Sequence, residues 1–333
     1  MGTLSGWAYR KAITVNHTDD GAQTNYQMKL TVNHGDGADS TGLVYLNHHA
    51  LNWPTDIQIT ASDGTTPVDF WREESDATDG TWWIECPSIA AGGTWTGYIY
   101  YGGLDAADAS NGTNTFTFFD HFTAAWPDGL WSGNTEHATV ASSILSLTGH
   151  GNATWLWLLA SAGQGAATFR QRMNTWLSTA ASAGYACDSV GCRVSNDWNN
   201  TNNWVATYFS DAAENLAAAN DGAGTGINTN TDFTGNSFVT VEILVRGGTN
   251  QRWFENEVER ASSPFTAKKP NVTTMKPSLA AYDDNALSIR VKCDWVFTAN
   301  YTLNEPTWAA SGAEEALGRR SVPRIAKIML MSP

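Results

Sequence analysis

Short runs in which apolar and polar residues alternate follow one another along this chain, and runs with helical spacing are nearly absent. Alternation at period two puts every second side chain on one face, so these segments read as β-strands with one side in a core. In the first third the predicted strands are Trp7–Val15, Tyr26–Val32, Asp56–Ala61, Val68–Arg72, Thr81–Cys86 and Trp95–Tyr101. They are rich in Thr, Val, Ile and aromatics, and Gly, Asn, Asp and Ser clusters separate them. Their spacing suits a β-sandwich of about 100 residues. The small, polar stretch Asp105–Asn114 reads as a boundary, and a second set of strands runs from Phe116 to about Tyr301. Within it, Asn196–Asn203 and Asn220–Thr234 read as long polar loops. Ala309–Arg320 reads as a linker, and Ile325–Met331 as an apolar run able to add a strand to a partner. The expected architecture is all-β: two tandem antiparallel β-sandwiches over 1–112 and 113–308, then a linker and attachment strand over 309–333.

Composition narrows the functions. The chain has 333 residues, 42% hydrophobic and only 16% charged, which suffices for sizeable cores and is unlike a disordered tail. Nineteen basic residues against 33 acidic ones leave a net charge of −14. A nucleic-acid groove needs clustered cations to neutralise phosphates, so nucleic acid is not an expected partner. The longest apolar stretch, around Trp155–Ala160, is far short of the roughly 20 residues of a spanning helix, and no membrane insertion is expected. The N-terminus carries no basic segment followed by an apolar run, so no Sec-type leader is expected in the sequence as it stands. Cys86 and Cys293 sit in apolar strand-like runs and read as buried free thiols. Cys187 and Cys192 flank Asp-Ser-Val-Gly, a turn-like sequence that would allow a cross-hairpin disulfide.

Two resemblances sharpen this. Trp7-Ala8-Tyr9-Arg10-Lys11-Ala12-Ile13-Thr14-Val15, Asp56-Ile57-Gln58-Ile59, Trp82-Trp83-Ile84-Glu85-Cys86-Pro87 and Tyr98-Ile99-Tyr100-Tyr101-Gly102 together resemble the domain of unknown function 2341. That β-sandwich family occurs in prokaryotic surface proteins and phage proteins, and it brings no chemistry. The second part resembles the concanavalin A-like jelly roll shared by legume lectins, laminin-G modules and family 16 glucanases. The matching islands are Phe118-Phe119-Asp120-His121-Phe122 with Gly129-Leu130-Trp131, then Arg252-Trp253-Phe254-Glu255-Asn256-Glu257-Val258-Glu259, and last Cys293-Asp294-Trp295-Val296-Phe297. Their best local matches are to the lichenase branch of those glucanases.

Retaining glycoside hydrolysis needs two carboxyl groups about 5–5.5 Å apart. The resemblance implies that they come from one mid-domain strand in a Glu-x-Asp-x-Glu pattern. The residues there are Trp204-Val205-Ala206-Thr207-Tyr208-Phe209-Ser210-Asp211, with a single carboxylate at the end. The one dense carboxylate cluster, Glu255, Glu257 and Glu259, shares a strand face by period two but falls in the wrong hairpin. The sequence contains no GxSxG, HExxH, GxxxxGK[ST] or GxGxxG motif. His48-His49 reads as a loop pair. No enzymatic activity is therefore expected.

What the chain does have is an aromatic and amide supply suited to sugars, whose apolar C–H faces stack on rings while hydroxyls meet polar partners. Trp198, Asn200, Trp204 and Tyr208 are the candidate carbohydrate-binding residues, with Trp204, Ala206 and Tyr208 alternating onto one face. Taken alone, a stripe of this kind is more often core than site, and the polar Asn loop before it favours a rim that faces a ligand. Trp126 and Trp131 around Pro127-Asp128-Gly129 read either as part of a site or as plugs at the sandwich edge. The lichenase resemblance further implies a structural calcium ion, Ca2+, held by Asp294 and by backbone carbonyls at His121 and near Ser143. The alternative is an Asp294 that only hydrogen-bonds a strand end. The function expected from all this is a non-catalytic virion structural protein: a head spike, decoration or tail receptor-binding component that binds host-surface carbohydrate. Its expected place is the virion surface, joined to other virion proteins or to its own copies through 309–333. The alternatives are a secreted or cell-surface prokaryotic adhesion protein and a divergent polysaccharide hydrolase.

Overall fold

The computed structural model describes residues 2–318 except 18–20, 105, 150–153, 164–167, 179–185, 194–202, 210–214, 222–226, 231–232, 247–249, 262, 267–269, 271–273 and 284–288. The chain forms two compact units, one built from residues up to Asn111 together with those from Pro306 onward, the other from Gly112–Glu305.

The first unit contains β1 (Tyr9–Asn16), β2 (Gln23–Asn33), β3 (Leu43–Tyr45), β4 (Ile57–Ala61), β5 (Phe70–Ser75), β6 (Asp79–Ile89) and β7 (Thr94–Tyr101). All six predicted strands are present. The seventh, β3, is only three residues long and joins β2 in parallel, too short for a pattern to reveal. One sheet runs β3-β2-β6-β5 and the other contains β1-β7-β4. Alternation sends Ile13 and Val15 of β1, Tyr26, Met28 and Leu30 of β2, and Trp82, Ile84 and Cys86 of β6 into a shared core. Cys86 is a buried free thiol, as expected.

The second unit opens with a short helix, α1 (Gly112–Thr115), followed by β8 (Phe118–Asp120), β9 (Trp131–Gly133), β10 (Ala138–Ala141), β11 (Ile144–Thr148) and β12 (Thr154–Ala160). It continues with β13 (Thr168–Leu177), β14 (Ala186–Arg193), β15 (Asn203–Phe209), β16 (Asn215–Asp221) and β17 (Ile227–Asn230). The last strands are β18 (Val239–Arg246), β19 (Asn250–Glu255), β20 (Val258–Glu259), β21 (Lys276–Asp283) and β22 (Ile289–Asn300). An eight-stranded sheet runs β10-β11-β22-β13-β18-β19-β20, with β8 also on β22, and a seven-stranded sheet runs β17-β16-β15-β14-β21-β12-β9. The pairings are antiparallel, and one apolar core lies between the two sheets. The all-β sandwich class is thus as the alternation predicts. Trp131 is a core plug: it is buried, and its Nε1 donates to Asp120 Oδ2 at 2.6 Å.

Three expectations are overturned. The stretch Asn220–Thr234 is not one long loop, since it holds the end of β16 and all of β17. The chain does not carry two sandwiches strictly in tandem with a linker after the second. Beyond the second unit, β23 (Thr307–Trp308) and β24 (Glu315–Ala316) pair with β1, so the segment from Pro306 belongs to the first unit. Its polar, small-residue composition looks like a linker because backbone pairing, which composition does not encode, helps to hold it. The run Ile325–Met331 lies outside the described residues. Likewise, Cys187 and Cys192 do not flank a turn. Both lie on β14, paired continuously with β21. Five residues of strand separate them by about 16 Å and put them on opposite faces, beyond any disulfide. Cys192 is a buried free thiol.

Candidate functional site

The face of the seven-stranded sheet that is turned away from the core can be read from register, because residues directly opposite each other share a face. Cys192, Leu279, Ala281, Leu156 and Leu158 belong to the core, so their strand neighbours fall on the other face. One row across that face is Trp157, Ala280, Ser189, Tyr208, Leu216 and Asn230. The next is Leu159, Ser278, Gly191, Ala206, Ala218 and Asn228. The third is Lys276, Arg193, Trp204 and Asn220.

The middle row is small over four successive strands: Ser, Gly, Ala, Ala. Rows on one face lie roughly 7 Å apart, and the described members of this row, Ser278, Gly191 and Ala206, are themselves buried between a row with two aromatic positions and a row with two cations and a tryptophan. Trp155 and Trp157 are half-buried. The Trp157 ring lies over Gly133, where any Cβ would come within 2.4 Å of it, so only glycine is tolerated at that place on β9. Arg193 is 2% exposed, and burial pushes its guanidinium down to about 9. Lys276 Nζ donates to the Ser161 carbonyl at 3.1 Å.

Of the predicted carbohydrate-binding residues, positions 204 and 208 fall on this face, on either side of Ala206. Trp198 and Asn200 lie outside the described residues. β15 is the strand expected to carry carboxylates in a glucanase, and its positions on this face are occupied by Trp, Ala and Tyr. Sequence reasoning missed the cation pair Arg193 and Lys276, because only the β14–β21 register sets them side by side.

The carboxylate cluster is not a strand face. β19 ends at Glu255, and Asn256 and Glu257 form a tight turn at φ 46° and 69° before β20. The turn breaks the period-two argument and sends the three side chains to different partners. Glu255 accepts from Thr234 N and Oγ1 at 2.6 and 2.5 Å. Glu257 pairs with Arg172, and Glu259 takes Arg252 Nε and Nη2 at 2.8 and 2.5 Å. The hydrogen bond from Arg252 holds the Glu259 carboxyl below its usual range.

The three residues proposed for calcium do converge. β11 pairs with β22 as far as Leu145 opposite Cys293, and β8 pairs with it from Asp120 opposite Val296. Asp294 therefore sits at the junction of two strands laid end to end. His121 follows one of them, and Ser143, at φ 59°, lies in the turn before the other. The His121 ring reaches Asp294, Nε2 to Oδ1 at 3.7 Å, and burial raises the Asp294 carboxyl. One carboxylate with adjacent backbone carbonyls is a hard-oxygen donor set that fits calcium. Among the described residues, no group of three or more His, Cys, Asp or Glu side chains could hold a metal, so any ion here depends on carbonyls.

No curated protein matches the chain. Among solved structures, the chain is similar to the Bacillus licheniformis β-glucanase, at 12% identity and TM-score 0.43, over 55% of this chain and 98% of that one. A prokaryotic β-1,3-1,4-glucanase (lichenase) from a mouse hindgut metagenome is similar at 13% identity and TM-score 0.42, over 55% and 99%. An endo-1,3-β-glucanase from Streptomyces sioyaensis is similar at 11% identity and TM-score 0.40, over 59% and 96%. The activities belong to those proteins. The family model of the Domain of unknown function (DUF2341) matches residues 53–136, which begin in the first unit after β3 and end in the second after β9.

Proposed function

We propose that this protein binds carbohydrate without cleaving it, on the outer face of the seven-stranded sheet. The observation that carries the reading is the aromatic positions 157, 204 and 208 on this face, set on either side of the small row at 278, 191, 206 and 218. The half-buried rings of Trp155 and Trp157 on this face would stack on the C–H faces of a sugar. Asn220, Asn228 and Asn230 supply amides on the same face for hydroxyl groups. Lys276 at one border favours glycans that carry a carboxylate or sulfate. Calcium at Asp294, with the His121 and Ser143 carbonyls, would be structural: it would fasten the end of β8 and the β10–β11 turn to β22. The setting we propose is a virion surface, supported by the resemblance of the first third to a family that occurs in phage proteins.

The test is a panel of neutral and acidic oligosaccharides followed by calorimetry on the best ligand. Trp157→Ala and Trp204→Ala should each weaken binding by roughly tenfold or more, about 1.4 kcal/mol. No reducing ends should appear on long incubation. Release of reducing sugar that survives purification and is lost in Trp204→Ala would replace this reading with hydrolysis.

Removal of calcium gives a separate expectation. A ligand bound only by the folded state adds about 2.7 kcal/mol at a hundredfold excess over its dissociation constant. Chelation should lower the melting temperature of the second unit by several degrees, and Asp294→Ala should abolish the difference. Superimposable curves for the unmutated protein would reduce Asp294 to a strand-end residue paired with His121.

A further inference from the structure

The segment Thr307–Leu317 lies along the free edge of β1, whose other edge is fully paired with β7. Between its two short strand pairings, Ala309 N donates to Thr14 O and Gly312 N to Ala12 O, both at 2.8 Å, and Leu317 N then donates to Ala8 O. Trp308 is buried in the first core, and its Nε1 donates to Lys29 O at 2.6 Å. Glu314 accepts from Tyr101 Oη at 2.6 Å and pairs with His49 Nδ1 at 3.0 Å. Glu315 pairs with Arg10 at 2.8 Å, and Ser311 Oγ donates to Asp39 Oδ2 at 2.5 Å.

Each receiving side chain is also held by something other than this segment. Arg10 donates to Gly2 O and Tyr100 Oη, and its guanidinium lies 4.2 Å from the centre of the Tyr98 ring. Asp39 accepts from Tyr45 N and from Lys11 Nζ, which in turn donates to Tyr45 O. His49 stacks on Tyr9 at 4.1 Å. All of these lie within the first 101 residues. Arg10, Asp39 and His49 are therefore each held by contacts within the first 101 residues as well as by the segment.

We propose that this edge is a strand-acceptor site for extended peptides with a tryptophan, a serine three residues on and a Glu-Glu pair six and seven residues on, and that Thr307–Leu317 occupies it as a separable ligand. Backbone pairing gives affinity without sequence preference, while the Trp308 socket and the Arg10 and His49 stations select the side chains.

The experiment uses the full chain with a protease-recognition sequence inserted between Leu303 and Asn304, both exposed. After cleavage of the folded protein, the C-terminal fragment should stay bound through gel filtration. Excess synthetic Thr307–Leu317 peptide should then displace it, and a peptide with Trp308→Ala should compete about tenfold less well or worse. A chain ending at Glu305 should keep a folded first unit and bind the labelled peptide with the same Trp308 dependence. A fragment that cannot be displaced, competition indifferent to Trp308, or an unfolded first unit in the shortened chain would each overturn the proposal, making the segment an integral strand.

Discussion

Glu242→Leu should destabilise the second unit by about 3–5 kcal/mol, the range for removing one member of a buried ion-pair network. Glu242 on β18 is 8% exposed and lies 3.2 Å from both Arg170 Nε and Arg172 Nη1 on β13. Arg170 has a second partner in Glu305, and Arg172 has one in Glu257, which is itself half exposed. Guanidinium groups do not deprotonate at working pH, so removing the shared carboxylate leaves two buried cations with less compensation. Adding Arg172→Met to Glu242→Leu should recover a large part of the loss, since replacing both partners of a buried pair is far milder than removing one. Chemical denaturation with hydrogen exchange read on β13 and β18 would check both. A Glu242→Leu protein as stable as the parent would mean that the network contributes no stability.

Trp82→Ala should cost the first unit about 3–5 kcal/mol, the usual loss for truncating a fully buried tryptophan. Trp82 is among the largest buried side chains, sits on the core face of β6 and packs against Trp53 at 5.3 Å between ring centres. Its indole Nε1 is buried without a hydrogen-bond partner. Trp82→Phe should therefore be milder than ring size alone suggests, because it also removes an unsatisfied donor that costs about 1–3 kcal/mol to bury. Urea titrations following exchange in β2 and β6 separate the two substitutions. Equal losses for Ala and Phe would show that the indole N–H finds a partner in solution.

Much of this molecule is legible along the chain. Period-two alternation fixes which segments are strands and which residues are inside, and it did so for all six long strands of the first unit, since burial of one face leaves no other solution. The burial of Cys86 and Cys293 follows from the same pattern. The alternation Trp204, Ala206, Tyr208 is also visible in sequence, but whether that face meets the core or the opposite side is not, because a strand reads the same in both directions of burial. Register against Cys192 decides it. The turn at Asn256–Glu257 scatters three glutamates that a strand would have aligned, and two positive φ angles carry no apolar pattern.

The largest change comes from contacts between residues far apart in sequence. Glu314 meets Tyr101 and His49, and Trp308 meets Lys29, across the whole of Gly112–Glu305, which folds as the other unit. Backbone pairing along the edge of β1 needs no particular residues, so the segment that completes the first unit looks like a linker when read alone. Sequence by itself determined the six longer strands of the first unit, the all-β class and the aromatic and amide supply. Only the tertiary structure decided which rows lie side by side and which strand closes which sheet, because hydrogen-bond register and long-range pairing are properties of two segments together and are written in neither one.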